Sequence, residues 1–166
     1  KRKDLVVLDA DLVLDCGIIP FRKAFPERFV ECGIAEMDMV SQAGAMALNG
    51  LLPVVHSFAC FLSTRPNEQI YNNATELSKI IYVAPLAGVL PAGPGHSHQS
   101  VRDISAVGGM PGLTLIQPGC EDEVAAALQY AVDEAEGSVY LRLVSIPVDI
   151  PFDLPADYRL VPGRGS

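Results

Sequence analysis

The stretch Phe29-Val30-Glu31-Cys32-Gly33-Ile34-Ala35-Glu36-Met37-Asp38-Met39-Val40 decides how this chain is read. It is a short apolar strand, a glycine hinge, and then a helix of small apolar residues that the pattern carries over residues 35–49. Glu36 sits at the start of that helix with Ile34, Ala35, Met37 and Met39 for neighbours. A carboxylate there is either a first-turn acid favoured by the helix dipole or a group held against something for its chemistry.

The same strand-then-helix alternation runs outward in both directions. Short β-branched runs predict buried strands over residues 4–9, 29–32, 51–56, 80–84, 113–116 and 138–143. Helical spacing predicts a turn at 21–24 and helices at 35–49, 66–77, 101–107 and 121–135. Such alternation implies an α/β fold, a three-layer α/β/α sandwich around a mostly parallel sheet. In the first long helix Met39, Ala43, Met46 and Gly50 share a stripe, with Val40 and Ala47 beside it, so burial on more than one side is expected. Its Ala and Gly content permits a close neighbour, and Asn49-Gly50 predicts a left-handed cap. The buried sides expected of two later helices are Ile70, Ala74 and Leu77, then Val124, Ala127, Leu128, Ala131 and Ala135.

With 166 residues, 49% of them apolar and 19% charged, the chain suffices for one domain with a real core. A net charge of −8 without a basic cluster argues against nucleic acid and anionic membrane as partners. Cys16, Cys32, Cys60 and Cys120 are widely spaced, which predicts reduced core thiols in a cytoplasmic protein. No apolar run reaches the roughly 18 residues of a membrane span. Residues 1–155 read as the domain. Residues 156–166, ending Pro162-Gly163-Arg164-Gly165-Ser166, read as a linker toward a further domain, or as the end of one subunit of a split protein.

In an open α/β sheet, ligands bind at the carboxyl ends of the strands. Asp11 follows the first strand, Glu36 the second, and Phe58 and Phe61 the third. His98 lies in the long Gly- and Pro-rich loop 85–100 after the fourth. An acid, two aromatics and a histidine there suit a flat heterocycle, with ring faces to stack on and a buried acid to bond a ring nitrogen. Plainer readings stand beside this one. The phenylalanines could be core and Asp11 a loop cap. His96 and His98 have no third ligand at metal spacing, so no metal site is expected. The glycine-rich nucleotide fingerprints and the serine nucleophile elbow are absent.

The run Phe25-Pro26-Glu27-Arg28-Phe29-Val30-Glu31-Cys32-Gly33-Ile34-Ala35-Glu36-Met37 resembles the pyrimidine-binding domain of the transketolase and 1-deoxyxylulose-5-phosphate synthase family. The resemblance continues in order through Ala10-Asp11-Leu12, Ser57-Phe58-Ala59-Cys60-Phe61-Leu62, Ser97-His98-Gln99-Ser100 and Pro111-Gly112-Leu113-Thr114-Leu115-Ile116-Gln117-Pro118. It implies a thiamine diphosphate-dependent enzyme that transfers a two-carbon ketol unit. Glu36 would be the catalytic glutamate, bonding the N1′ nitrogen of the aminopyrimidine so that the 4′ nitrogen takes the C2 proton. Apolar burial is expected to suit that carboxyl for sharing a proton. By the same resemblance Phe58 and Phe61 pack on the pyrimidine, Asp11 and Ile34 lie near the cofactor, and His98 faces the substrate's reacting oxygens. The family's usual tyrosine is Thr64 here, and the acid that recognises a sugar hydroxyl is missing from Gly93-Pro94-Gly95-His96. That leaves the usual pentose phosphate substrates open. Magnesium and the diphosphate would be held by another domain or subunit, and a homodimer acting on a phosphorylated or free ketose is implied. The beta subunit of a 2-oxo-acid dehydrogenase and a non-catalytic α/β interaction domain are the rival readings.

Overall fold

A computed structural model describes residues 2–90, 93–146, 150, 151 and 153–164. Pro91 and Ala92 of the glycine-rich loop, and Gly165 and Ser166 of the tail, lie outside the described residues. The six apolar runs become strands β1 Leu5–Asp9, β2 Phe29–Glu31, β3 Leu52–His56, β4 Ile81–Ala84, β5 Thr114–Ile116 and β6 Val139–Arg142. They pair in parallel in the order β2-β1-β3-β4-β6-β5. From β1 the chain steps outward to β2, then crosses back to β3 on the other side. The carboxyl ends of β1 and β3 therefore flank a switch point, where a doubly wound sheet opens a crevice.

Helices α1 Ile19–Ala24, α2 Glu36–Leu48, α3 Ala59–Leu62, α4 Asn67–Thr75, α5 Asp103–Val107 and α6 Glu121–Asp133 cover the sheet. Alternation along the strands sorts them into two layers. Val6, Leu8, Val55 and Tyr82 face Met39, Val40 and Ala43 of α2, with Leu62, Ile70 and Val107 from α3, α4 and α5. Val7, Val54, Ile81, Val139 and Leu141 face Ala127 and Ala131 of α6, with Ile18 and Phe21 against them. This is the expected three-layer sandwich, and among the described strands the pairing is wholly parallel.

Several side chains sit otherwise than the pattern predicts. Helix α2 buries Glu36, Met39, Val40, Ala43 and Gly44, while Met37 and Leu48 are exposed and Gly50 lies past its end. Burial within this chain is thus confined to one face. Gly50 is instead the left-handed residue of a Schellman cap, with φ +84°. Its N–H bonds to Ala47 O and that of Leu51 to Met46 O.

Leu77 ends up 87% exposed because it too adopts a positive φ beyond α4, and Asn73 takes the buried place beside Ile70. On α6, Leu128 is exposed and Val124 half-buried, and the small residues Ala127 and Ala131, with Ala135 just past its end, lie against the sheet. The four cysteines are half-buried free thiols, and Cys32 among them packs against the core. Burial pushes Cys16 up to about 12 and Cys32 up to about 11, so neither is a nucleophile at neutral pH. No helix among the described residues is long and apolar enough to cross a membrane.

Candidate functional site

Gly33 turns the chain from β2 into α2 at φ +69°, a conformation that favours glycine. The turn is fastened from the strand side. Glu31 Oε1 accepts the backbone N–H groups of both Gly33 and Asp11, each at 2.9 Å, which ties the ends of β1 and β2 together. Ala35 is then the N-cap, and Glu36, the first residue of α2, is directed inward at 3% exposure.

Beyond β3 the chain runs through Ser57 and Phe58 into helical turns, pinned to the end of β4 by Ala59 N–H donating to Pro85 O at 2.7 Å. These turns continue past α3, with Arg65 N–H bonding Phe61 O at 2.9 Å. Residues four apart on helical backbone share a face, and the Arg65 guanidinium accordingly lies 3.8 Å over the Phe61 ring. Its Nη1 donates to Glu36 Oε1 at 2.5 Å, and Ser57 Oγ donates to the same oxygen at 3.3 Å.

Glu36 is therefore buried, but not among apolar atoms alone as its sequence neighbours imply. A cation and a hydroxyl reach it from the β3–α4 connection. Neither Ser57 nor Arg65 was singled out from the sequence. The available signal was a lone arginine four residues after a site phenylalanine.

His98 arrives from the fourth strand end. Its loop is closed by reciprocal backbone bonds between Gly88 and Ser100, at 2.9 and 2.8 Å. Buried Arg142, at the end of β6, holds the base of that loop. It donates to Asp103 at 2.7 Å and to Gln117 at 2.7 Å, and its Nη2 lies 3.5 Å from Ser100 O. The His98 ring meets Phe61 edge-on at 5.2 Å and Phe58 at 6.1 Å, while the two phenylalanine rings are 6.0 Å apart. Ser97 Oγ lies 2.9 Å from His98 Nδ1. Glu36, Phe58, Phe61 and His98 are thus joined into one cluster, with Phe61 at its centre.

The remaining candidates lie apart from it. Ile34 is 72% exposed on the hinge. Asp11 is exposed at φ +60°, and its backbone binds Glu31. His96 is exposed in the loop. On the opposite face of the sheet, Asp9 and His56 form a second titratable pair. Burial pushes Asp9 up to about 6, against an opposing backbone N–H from Leu12, and nearby Glu31 adds to the rise. Burial also pushes His56 down to about 4.

The cluster offers a ring face on Phe61, a second phenyl beside it, and a buried carboxylate whose two hydrogen bonds both fall on Oε1. Oε2 keeps its capacity to accept an N–H. The Arg65 guanidinium covers one face of the Phe61 ring and donates to Glu36 Oε1, which leaves Oε2 as the accepting oxygen. A phenyl ring beside an accepting carboxylate oxygen fits a flat heterocycle that offers a ring N–H. Among the described residues no group of three His, Cys, Asp or Glu side chains is placed to hold a metal ion.

Comparison with known proteins gives one family. A split-gene transketolase described as an inactive β4 tetramer superimposes with a TM-score of 0.82 at 34% identity, covering 98% of this chain and 51% of that one. A putative transketolase family protein of Sinorhizobium fredii is 39% identical over 87% of this chain and 42% of its own length. The 1-deoxy-D-xylulose-5-phosphate synthase 2 of Kitasatospora griseola is 34% identical over 86% of this chain, which spans 22% of that enzyme. The sequence profile described as transketolase, pyrimidine binding domain, matches residues 1–145. The chain belongs to the transketolase pyrimidine-binding domain family.

Proposed function

We propose that this chain is the pyrimidine-binding part of a thiamine diphosphate-dependent enzyme that transfers a two-carbon ketol unit, with Glu36 as its catalytic acid. The observation that carries this reading is the buried Glu36 carboxylate beside Phe61, with one oxygen bonded to Arg65 and Ser57 and the other free to accept. When bound, thiamine diphosphate supplies a carbon nucleophile at thiazolium C2.

Glu36 holds a proton against the pyrimidine N1′ nitrogen, Phe61 and Phe58 orient the ring and exclude water from one side, and His98 faces the substrate oxygens. Asp11 and Ile34 line the outer approach. In this reading residues 1–155 form the domain and residues 156–166 lead toward another. Magnesium and the diphosphate are held by a further domain or subunit. A cytoplasmic homodimer acting on a free or phosphorylated ketose follows from the same reading. The chain's coverage of only part of each relative supports the need for that further domain.

The test is reconstitution of the chain with the domain or subunit that carries the diphosphate site, in thiamine diphosphate and magnesium. The assembly is offered ketose phosphates and 2-oxo acids in turn, and the products are identified. Ketol transfer from a ketose is expected. Turnover of 2-oxo acids alone would replace this reading with that of a 2-oxo-acid dehydrogenase beta subunit, and no cofactor-dependent turnover of either class would overturn it.

A further inference from the structure

We propose that Arg65 is a positioning residue for this site: with Ser57 it grips one oxygen of Glu36 and so leaves the other directed at the bound heterocycle. The inference rests on the reading of Glu36 given above and adds to it the group that fixes the carboxylate's orientation. A glutamate side chain has three rotatable bonds, and burial alone does not choose which oxygen meets a ligand. Here both hydrogen bonds converge on Oε1, from Arg65 Nη1 at 2.5 Å and from Ser57 Oγ at 3.3 Å. A carboxylate oxygen with two donors is near saturation, so the accepting capacity that remains lies on Oε2. Arg65 is itself held, by the backbone bond from its N–H to Phe61 O and by the Phe61 ring 3.8 Å beneath its guanidinium. The phenyl that presents a stacking face therefore also sets the arginine that sets the acid.

The burial of the two partners differs enough to decide which of them matters. The Arg65 side chain is 39% exposed and that of Glu36 3%. As a surface ion pair Arg65 would contribute little to folding. Among the described residues Arg65 is the only cation placed on the buried Glu36 carboxylate, so its removal leaves Glu36 uncompensated. Lysine in its place would keep the charge but could not lay a plane on Phe61 while reaching the same oxygen.

The experiment uses the chain assembled with its diphosphate-site partner and compares two probes by equilibrium titration. These are thiamine diphosphate and an analogue with carbon in place of N1′. Only the first can exchange a hydrogen bond with Glu36, so the ratio of the two affinities reads that bond and not the site's general integrity. Arg65→Met is expected to lower the ratio by about tenfold, chiefly by weakening the true cofactor, and Arg65→Lys to recover part of the loss. Ser57→Ala, a milder change should Arg65→Met fail to fold, is expected to lower it by about threefold. Equal weakening of both probes would make Arg65 merely structural, and tighter binding of the cofactor would make it an obstruction; either overturns the proposal. Glu36→Gln separates this inference from its foundation. If Glu36→Gln leaves the ratio unchanged, the reading of Glu36 itself fails, whereas a ratio lost in Glu36→Gln but kept in the Arg65 and Ser57 variants removes only the role of Arg65.

Discussion

Asp9 and His56 stand opposite each other in adjacent strands, their facing atoms 3.1 Å apart yet out of line for a hydrogen bond. Burial disfavours the charged form of each, which raises the acid to about 6 and lowers the base to about 4. The signs then oppose. Asp9 favours the folded state below its ordinary carboxyl value, and that contribution is lost as pH rises through about 6. His56 favours it above its ordinary imidazole value, and that contribution is lost as pH falls through about 4.

Between these values the folded pair carries one proton, on Asp9, and the unfolded pair also carries one, on His56. The pair's contribution to stability is therefore flat across this window. Asp9→Asn is expected to unmask His56, so that the urea midpoint falls as pH drops from about 6.5 toward 4. His56→Gln is expected to unmask Asp9, so that the midpoint falls as pH rises from about 4 toward 6. Urea titrations at several pH values check both, and a flat profile in both variants would contradict the account. Periodicity could not have revealed this pair, because the alternation of β1 and β3 marks both positions simply as interior.

At Gly44 helix α2 offers no side chain of its own, and the Asn73 side chain of α4 fills the space against its backbone. A Cβ there would lie 2.1 Å from Asn73 Oδ1, and Asn73 Nδ2 donates to Val40 O at 2.9 Å across the same gap. Gly44→Ala is expected to push the helices apart and break that bond, at a cost of about 1–3 kcal/mol. The thermal midpoint should drop by several degrees, and an unchanged or raised midpoint would contradict the close packing. The run of Ala43, Gly44, Ala45 and Ala47 made a close neighbour legible in advance, but it did not say that the neighbour would present an asparagine.

Element type and order were legible because each apolar run is short, β-branched and followed by turn residues. The small turns Pro26–Arg28 and Ala59–Leu62 were not, since three or four residues hold too little periodicity to register. Arg142 was also beyond reach. As a charge inside an apolar strand it has no sequence pattern, and only the fold brings it to Asp103, Gln117 and the base of the His98 loop. Arg142→Met is expected to cost about 3 kcal/mol through the stranded Asp103 carboxylate, visible as a lowered urea midpoint. An unchanged midpoint would deny the buried pair its role.

Across the molecule, the described site residues gather at the carboxyl edge of the sheet. Ile34 and Met37 stand exposed on the same hinge and helix start that turn Glu36 inward. Apolar side chains left outside such an edge fit a surface that a further domain or subunit covers, in keeping with a chain that spans 22% to 51% of the relatives compared. The strand ends marked in the sequence which residues converge. Arg65 and Ser57 completed that group only when helical turns beyond β3 carried them onto Glu36.

In the proposed role Glu36 drives loss of the proton at C2 of thiamine diphosphate, and deuterium exchange at that carbon measures it without any substrate. In the assembled enzyme Glu36→Gln is expected to slow exchange of the bound cofactor by about 100-fold or more, with the fold intact by thermal melting. Exchange as fast in Glu36→Gln as in the native chain, with the cofactor bound to both, would contradict it.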